Sequence, residues 1–308
     1  MLIALTGATG FIGQFLLREL PRRGHRVRVL LRRPSDVPMP AAGAVIGDLL
    51  RPQNLSAALE DVDAVIHSAG IGYGMTGIPE DDYRLLNTEA TVGLARAGRR
   101  AGVKRFIFLS SIRAQSGPTA DTVLTEADEP RPTEPYGRSK LAAERALAEL
   151  DIDWVALRAT LVYGPGAKGN IERLTQLARS PWPLPLASVK ARRSLLALDN
   201  LAAAIDTVLR APAPLRRPLI VSDVEALTIA EMIAAMRAGL ARRPRIFPCP
   251  ETLIQGVLRA RGQDERYRSA FGSLVANPSA LVSLGWRPQV TTPAGLRELM
   301  RMSDTSAR

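Results

Sequence analysis

The sequence predicts an α/β protein, a doubly wound parallel sheet with a smaller C-terminal lobe. Three observations carry that prediction. Short apolar runs alternate with helical stretches through the first two hundred residues, a glycine turn joins the first run to the first helix, and the texture changes beyond residue 165. Alternation of this kind covers both faces of a parallel sheet with helices.

The first run, Leu2-Ile3-Ala4-Leu5, is followed at once by Thr6-Gly7-Ala8-Thr9-Gly10-Phe11-Ile12-Gly13 and then by the helical pattern Phe15-Leu16-Leu17-Arg18-Glu19-Leu20. A turn made of glycines lets the backbone come close to a diphosphate, and the N–H groups and positive end of the following helix stabilise the anion. The spacing is Gly-x-x-Gly-x-x-Gly rather than the commoner Gly-x-Gly-x-x-Gly, but its place between strand and helix is what a dinucleotide site requires. Further strands are expected at 27–31, 44–46, 64–67, 106–110 and 154–158, with helices near 10–22, 52–60, 81–101 and 135–150. Active sites in such sheets lie beyond the carboxyl ends of the strands. Gly7, Arg32, Asp48, Ala69-Gly70, Ser110-Ser111 and Tyr163-Gly164-Pro165 each follow a predicted strand.

Beyond residue 165, prolines 181, 183, 185, 212, 214, 218, 244, 248 and 250 punctuate shorter elements. The expected division is a Rossmann-like dinucleotide-binding domain over 1–165, to which 194–222 returns, and a substrate lobe over 166–193 and 223–308.

Composition narrows the function. Hydrophobic residues make up 46% of the 308 and charged residues 23%, as in ordinary folded proteins. No window approaches the roughly 18 uninterrupted apolar residues of a membrane span, and the first strand starts at Leu2 without a basic leader, so a cytoplasmic protein is expected. The lone Cys249 forms no internal disulfide, in keeping with a reducing compartment. The formal charge is +11, yet the arginine pairs at 22–23, 32–33, 99–100, 192–193, 216–217 and 242–243 fall between elements, with no basic run or aromatic platform. This describes a solvated basic surface, or a positive cleft for an anionic cofactor and substrate, rather than a nucleic-acid site. His25 and His67 are the only histidines and sit in no ligand-like cluster, so no metal site is expected.

Tyr136-Gly137-Arg138-Ser139-Lys140 opens a helix. Residues four apart share a helix face, so phenol and ammonium project together. Bringing a tyrosine from a pKa of about 10 to about 7 takes roughly 4 kcal/mol, and one cation about 4 Å away at an effective dielectric of about 20 supplies that order of energy. Lys140 is therefore expected to tune Tyr136 as a proton donor and acceptor. Ser110-Ser111 end the apolar strand Phe106-Ile107-Phe108-Leu109 on the same sheet edge. A hydroxyl there can orient a substrate oxygen or simply cap the backbone.

On these residues the chain resembles an extended short-chain dehydrogenase/reductase, the NAD-dependent epimerase/dehydratase family. The resemblance also rests on Gly47-Asp48-Leu49, His67-Ser68-Ala69-Gly70, Asn87, Leu157-Arg158, Val162-Tyr163-Gly164-Pro165-Gly166, Arg192-Arg193 before Asp199-Asn200, and Leu284-Gly285-Trp286. It implies that Tyr136, Lys140 and Ser111 are catalytic, with Ser110 the alternative serine. It also implies that Gly7, Thr9, Gly10, Phe11, Ile12 and Gly13 hold the dinucleotide, that Asp48 and Leu49 meet the adenine, that Ala69, Gly70 and Asn87 line the dinucleotide, and that Lys140 bonds the nicotinamide ribose beside Tyr136. Substrate contacts are implied for Ser110, Ser111, Tyr163, Asn170, Arg192, Arg193 and Arg266. The family often carries Val-Tyr-Gly after its serine; here Ile112-Arg113-Ala114-Gln115-Ser116-Gly117 stands instead.

NAD enzymes of this kind carry an acidic residue roughly twenty positions past the glycines, and an arginine there accommodates the extra phosphate of NADP. The second strand ends in Leu30-Leu31-Arg32-Arg33 with no carboxylate, so NADP is expected ahead of NAD, through Arg32. Since epimerases of the family recycle NAD while net reduction commonly draws on NADPH, the expected reaction is reduction of a 4-keto nucleotide sugar or oxidation of its alcohol. The alternatives are a nucleotide-sugar 4-epimerase and a non-catalytic dinucleotide sensor or accessory subunit. The resemblance further implies a homodimer through the helices near 81–101 and 135–150.

Overall fold

The computed structural model describes residues 1–34, 41–73, 77–260 and 272–305. The apolar runs form one sheet of seven parallel strands: β1 (Leu2–Thr6), β2 (Arg26–Leu31), β3 (Ala42–Val45), β4 (Ala64–His67), β5 (Arg105–Ser111), β6 (Trp154–Ala159) and β7 (Arg217–Val221). Their spatial order is β7-β6-β5-β4-β1-β2-β3. The order reverses between β1 and β4, where Leu5 lies opposite Ile66, and at such a switch point the loops leave a crevice beyond the strand ends.

Successive side chains of a strand point to opposite faces, so each strand feeds two cores. Ile3 and Leu5 of β1, with Ile107 and Leu109 of β5, join a cluster that includes Leu16 and Leu20 of α1 (Phe11–Arg22) and Leu201 and Ile205 of α7 (Leu198–Arg210). Ala4, Phe106 and Phe108 face the other way, against Leu94 of α4 (Ala90–Arg100) and Ala143 and Leu147 of α5 (Pro135–Ala148). All seven residues of β5 are buried, as a central strand covered on both faces must be. Between β3 and β4 a single turn, α2 (Leu55–Ala58), crosses, and α3 (Glu80–Tyr83) leads through a π-helical turn, Arg84–Glu89, into α4.

A third core gathers under α6 (Asn170–Arg179), α8 (Ile229–Gly239) and the helix Thr292–Thr305. Its buried cation, Arg237, donates to the carbonyls of Ala178, Ser180 and Trp182 and so neutralises the negative end of α6. Asp223 ties this lobe to the sheet. Its carboxylate accepts from Ala197 N (3.0 Å), Asn200 Nδ2 (2.7 Å), the Tyr163 hydroxyl (3.0 Å) and Thr292 Oγ1 (3.2 Å). Among the described residues no helix is long and apolar enough to cross a membrane, and no group of three metal-ligating side chains occurs.

The sheet and α5 are joined by buried charge. Arg158 of β6 grips Glu144 of α5 through Nε (3.1 Å) and Nη2 (2.5 Å), and Ser110 Oγ donates to the same carboxylate at 2.5 Å. Removing one partner leaves a buried ion alone. Glu144→Ala should therefore lower the unfolding free energy by about 3–5 kcal/mol, read from the midpoint of a denaturant melt.

Candidate active site

The chain leaves β1 into the glycine turn with Gly7 in the left-handed region (φ +71°). A side chain at Gly7 would lie 2.7 Å from the backbone N of Ala69, and one at Gly13 would lie 2.1 Å from the Gly7 carbonyl. Glycine at both places is what lets the loops after β1 and β4 touch and α1 press onto its own turn. The N-terminus of α1 has no side-chain cap and no acidic residue in its first turn, so its N–H groups and positive dipole end remain open to an anion. Around them lies a cleft of about 500 Å3 bordered by Gly7, Thr9, Gly10, Arg32, Arg33, Asp48, Leu49, Ala69 and Gly70. Phe11, Ile12 and Gly13 form the first turn of α1 behind it. This donor set and its close backbone approach fit a dinucleotide.

The other end of the site is built by α5 and the short turn Ile112–Ala114 after β5. Gly137 lies so near that turn that a Cβ would stand 2.2 Å from the Arg113 carbonyl. The Ser111 side chain caps the turn by accepting from Arg113 N (3.2 Å), and its hydroxyl acts to lower the pKa of the Tyr136 phenol. Lys140 Nζ donates to the Leu109 carbonyl at 2.9 Å and stands 4.5 Å from the Phe108 ring centre and 6.0 Å from that of Tyr136. Burial holds Lys140 down, to about 8, against the opposing charge of Glu144. Burial also raises Tyr136, and the groups that counter it are the Ser111 hydrogen bond and the charge of Arg113.

Lys140 thus stands over the Tyr136 ring while its ammonium donates to backbone, and Arg113 is a second cation near the phenol. Arg113 pairs with Glu134, and its Cζ lies 4.7 Å from the Tyr73 ring centre. Sequence reasoning assigned no role to Arg113, Glu134 or Tyr73. The signal was the departure of Ile112-Arg113 from the family pattern.

Two relays connect the ends. Thr6 Oγ1 meets His67 Nδ1 (2.8 Å), and His67 Nε2 meets Thr91 Oγ1 (3.0 Å), which donates to the Asn87 carbonyl (2.7 Å). From the π-helical turn, Asn87 Oδ1 accepts from Ile71 N (2.8 Å) and Nδ2 donates to the Ile71 carbonyl and to Ser139 Oγ (both 3.1 Å). Asn87 is thereby a clamp between the loop after β4 and α5. Gly70 fits under it, since a Cβ there would lie 2.5 Å from Asn87 Oδ1 and 3.8 Å from Lys140 Nζ.

A family model described as "NAD dependent epimerase/dehydratase family" matches residues 3–221. The chain belongs to this family. It is 30% identical to the UDP-glucose 4-epimerase of Vibrio cholerae, over 96% of this chain and 93% of that protein. It is 29% identical to the 2-alkyl-3-oxoalkanoate reductase of Stenotrophomonas maltophilia, over 98% and 99%. The solved structure of MoeE5 in complex with UDP-glucose and NAD superposes with a TM-score of 0.75 at 27% identity, covering 99% of both chains.

In this epimerase/dehydratase family member none of the implied substrate residues that are described borders the glycine cleft, and of them Ser111 and Arg193 turn toward Arg113. Ser110 points away from Ser111, into the Glu144–Arg158 pair, because neighbours on a strand face opposite sides. The same rule separates the arginines of the strand Arg192–Arg193. Arg192 is exposed and pairs with Glu231 at 3.3 Å, whereas Arg193 turns inward, donates to the Pro118 carbonyl at 3.1 Å and senses the charge of Arg113. Tyr163 is a core residue whose hydroxyl is bound by Asp223, far from a substrate role. Asn170 is the exposed first residue of α6, outside the residues bordering the glycine cleft. Arg266 lies outside the described residues.

Burial, aided by the charge of Lys140, holds His67 neutral with a pKa of about 3. An unfolded histidine titrates at about 6.5, so the unfolded chain binds a proton that the folded chain refuses between those values. The contribution of His67 is whole above about pH 6.5 and is lost by about 1.4 kcal/mol per pH unit as the pH falls below it. Unfolding free energies at pH 7 and pH 5 should fall more steeply for the wild type than for His67→Gln.

Proposed function

We propose that this chain catalyses hydride transfer at a secondary alcohol or ketone of a nucleotide sugar, with NADP-dependent reduction of a 4-keto sugar as the net reaction. The observation that carries this reading is the placement of Tyr136 and Lys140 on α5, with Lys140 Nζ 6.0 Å from the Tyr136 ring centre and 3.8 Å from where a Cβ on Gly70 of the glycine cleft would stand. The glycine turn and the α1 N-terminus would hold the diphosphate, Asp48 and Leu49 the adenine, Arg32 the ribose phosphate, and Ala69, Gly70 and Lys140 the nicotinamide end. NADP, when bound, supplies or accepts the hydride. Tyr136 gives its proton to the substrate oxygen in reduction and takes it back in oxidation. Ser111 donates a hydrogen bond to that oxygen, and Arg113 steadies the phenolate left behind. Lys140, held over the Tyr136 ring by its hydrogen bond to the Leu109 carbonyl, adds a positive charge near the phenolate.

The nucleotide-sugar class draws support from MoeE5, which is 27% identical and carries UDP-glucose and NAD. A second reading, 4-epimerisation with recycled NAD, is favoured by the Vibrio relative matched over 96% of this chain. The same residues serve both. Two copies are expected to pair through α4 and α5, in the cytoplasm, and sedimentation tests the pairing.

Titrating the protein with NADPH and NADH should show tighter binding of NADPH. Incubation with a 4-keto nucleotide sugar should consume nicotinamide absorbance, while interconversion of UDP-sugars without net absorbance change selects the epimerase. Tyr136→Phe should lower turnover by about 10²–10⁴-fold and leave nucleotide binding intact. A variant as active as the wild type would overturn the assignment of the phenol.

A further inference from the structure

Arg113, next to the first turn of α5, and Arg193, near enough to feel its charge, are guanidinium groups whose partners in the fold are incomplete. Arg113 is only 8% exposed, and its Nη2 meets Glu134 while its Cζ rests over the Tyr73 ring. Its Nε is buried and has no hydrogen-bond partner. Arg193 has the same feature: Nη2 reaches the Pro118 carbonyl, and its buried Nε has no partner. The two groups also feel each other, for burial and then the charge of Arg113 hold Arg193 down to about 10, with Tyr73 opposing. Among the described residues no carboxylate pairs with Arg193.

A buried N–H without an acceptor is costly, and two neighbouring cations add repulsion. A neutral hydroxyl would satisfy the donors and leave the repulsion in place. A carboxylate satisfies both, since its two oxygens match the donor fork of arginine. Charge agrees as well, because Glu134 cancels one guanidinium and leaves a single positive charge for a single negative group. The position is set by packing: Arg113 Cζ lies 4.7 Å from the centre of the Tyr73 ring, whose centre is 6.0 Å from that of Tyr136, and the Arg113 carbonyl abuts Gly137. The anion therefore sits at the reacting end of the ligand.

We propose that Arg113 and Arg193 form a paired-guanidinium site for a carboxylate next to the carbon on which Tyr136 acts, so that the substrate is an acidic, hexuronate-type nucleotide sugar. This rests on the nucleotide-sugar reading above and adds the substrate class to it.

The probes are UDP-glucuronic acid and UDP-glucose, with the full chain, its nicotinamide nucleotide and the variant Arg113→Lys. Lysine keeps a charge opposite Glu134 but lacks the planar fork. The wild-type ratio of kcat/KM for the acidic over the neutral sugar should exceed one, and it should fall about tenfold or more in Arg113→Lys. A wild type that prefers UDP-glucose overturns the proposal without any variant being needed. Equal losses on both probes, accompanied by weaker binding of UDP alone, would assign the arginines to the diphosphate and overturn it too. If neither probe shifts the melting temperature while the nicotinamide nucleotide does, the nucleotide-sugar reading itself falls, and this inference with it.

Discussion

The contact on which the site depends is the one between the first turn of α5 and the turn that follows β5. Gly137 leaves no room for a side chain against the Arg113 carbonyl, so the first turn of α5, which carries Tyr136, packs directly on the turn that Ser111 caps. Behind that contact the Glu144–Arg158 pair and Ser110 hold the middle of α5 to β5 and β6. A helix gripped at both places is a rigid carrier, and rigidity matters because proton transfer needs donor and acceptor within hydrogen-bond reach. Ser110 and the Glu144–Arg158 pair lie on the opposite face of β5 from Ser111.

The other half of the site is positioned by the sheet itself. Adjacent β1 and β4 end side by side, and their loops meet because Gly7 has no side chain to keep them apart. Asn87 then ties the loop after β4 to Ser139, which in turn donates to the Tyr136 carbonyl at 2.8 Å. The dinucleotide cleft and the proton-transfer groups are thus parts of one hydrogen-bonded assembly, and movement of either would strain the clamp.

Electrostatics divides the work differently from what spacing on a helix suggests. Lys140, four residues after Tyr136, is desolvated and bound to the Leu109 carbonyl, and a second charge near the phenol arrives from Arg113 on another element. The surface charge of the chain is diffuse, but Arg113 and Arg193 are specifically held by Glu134, Tyr73 and Pro118.

Much of this was legible in the residues. Strand positions followed from apolar runs, since a strand buried on both faces has few other compositions open to it. The glycine turn could be placed because close approach of backbone to anion admits little else, and the Tyr136-to-Lys140 spacing because a helix fixes which residues share a face. The resemblance already favoured Ser111 over Ser110, but tertiary structure alone showed where the other member of each pair turns: Ser110 into the Glu144–Arg158 pair, and Arg192 outward to Glu231 while Arg193 turns inward. A one-residue step reverses the direction of a strand side chain, and the sequence pair looks the same either way. It also decided that Tyr163 serves the core and Asn87 clamps a loop, because their partners, Asp223 and Ile71, are brought to them only by the packed chain. Local periodicity settles the face of an element; the charges and acceptors that meet that face come from distant parts of the sequence, and only folding brings them there.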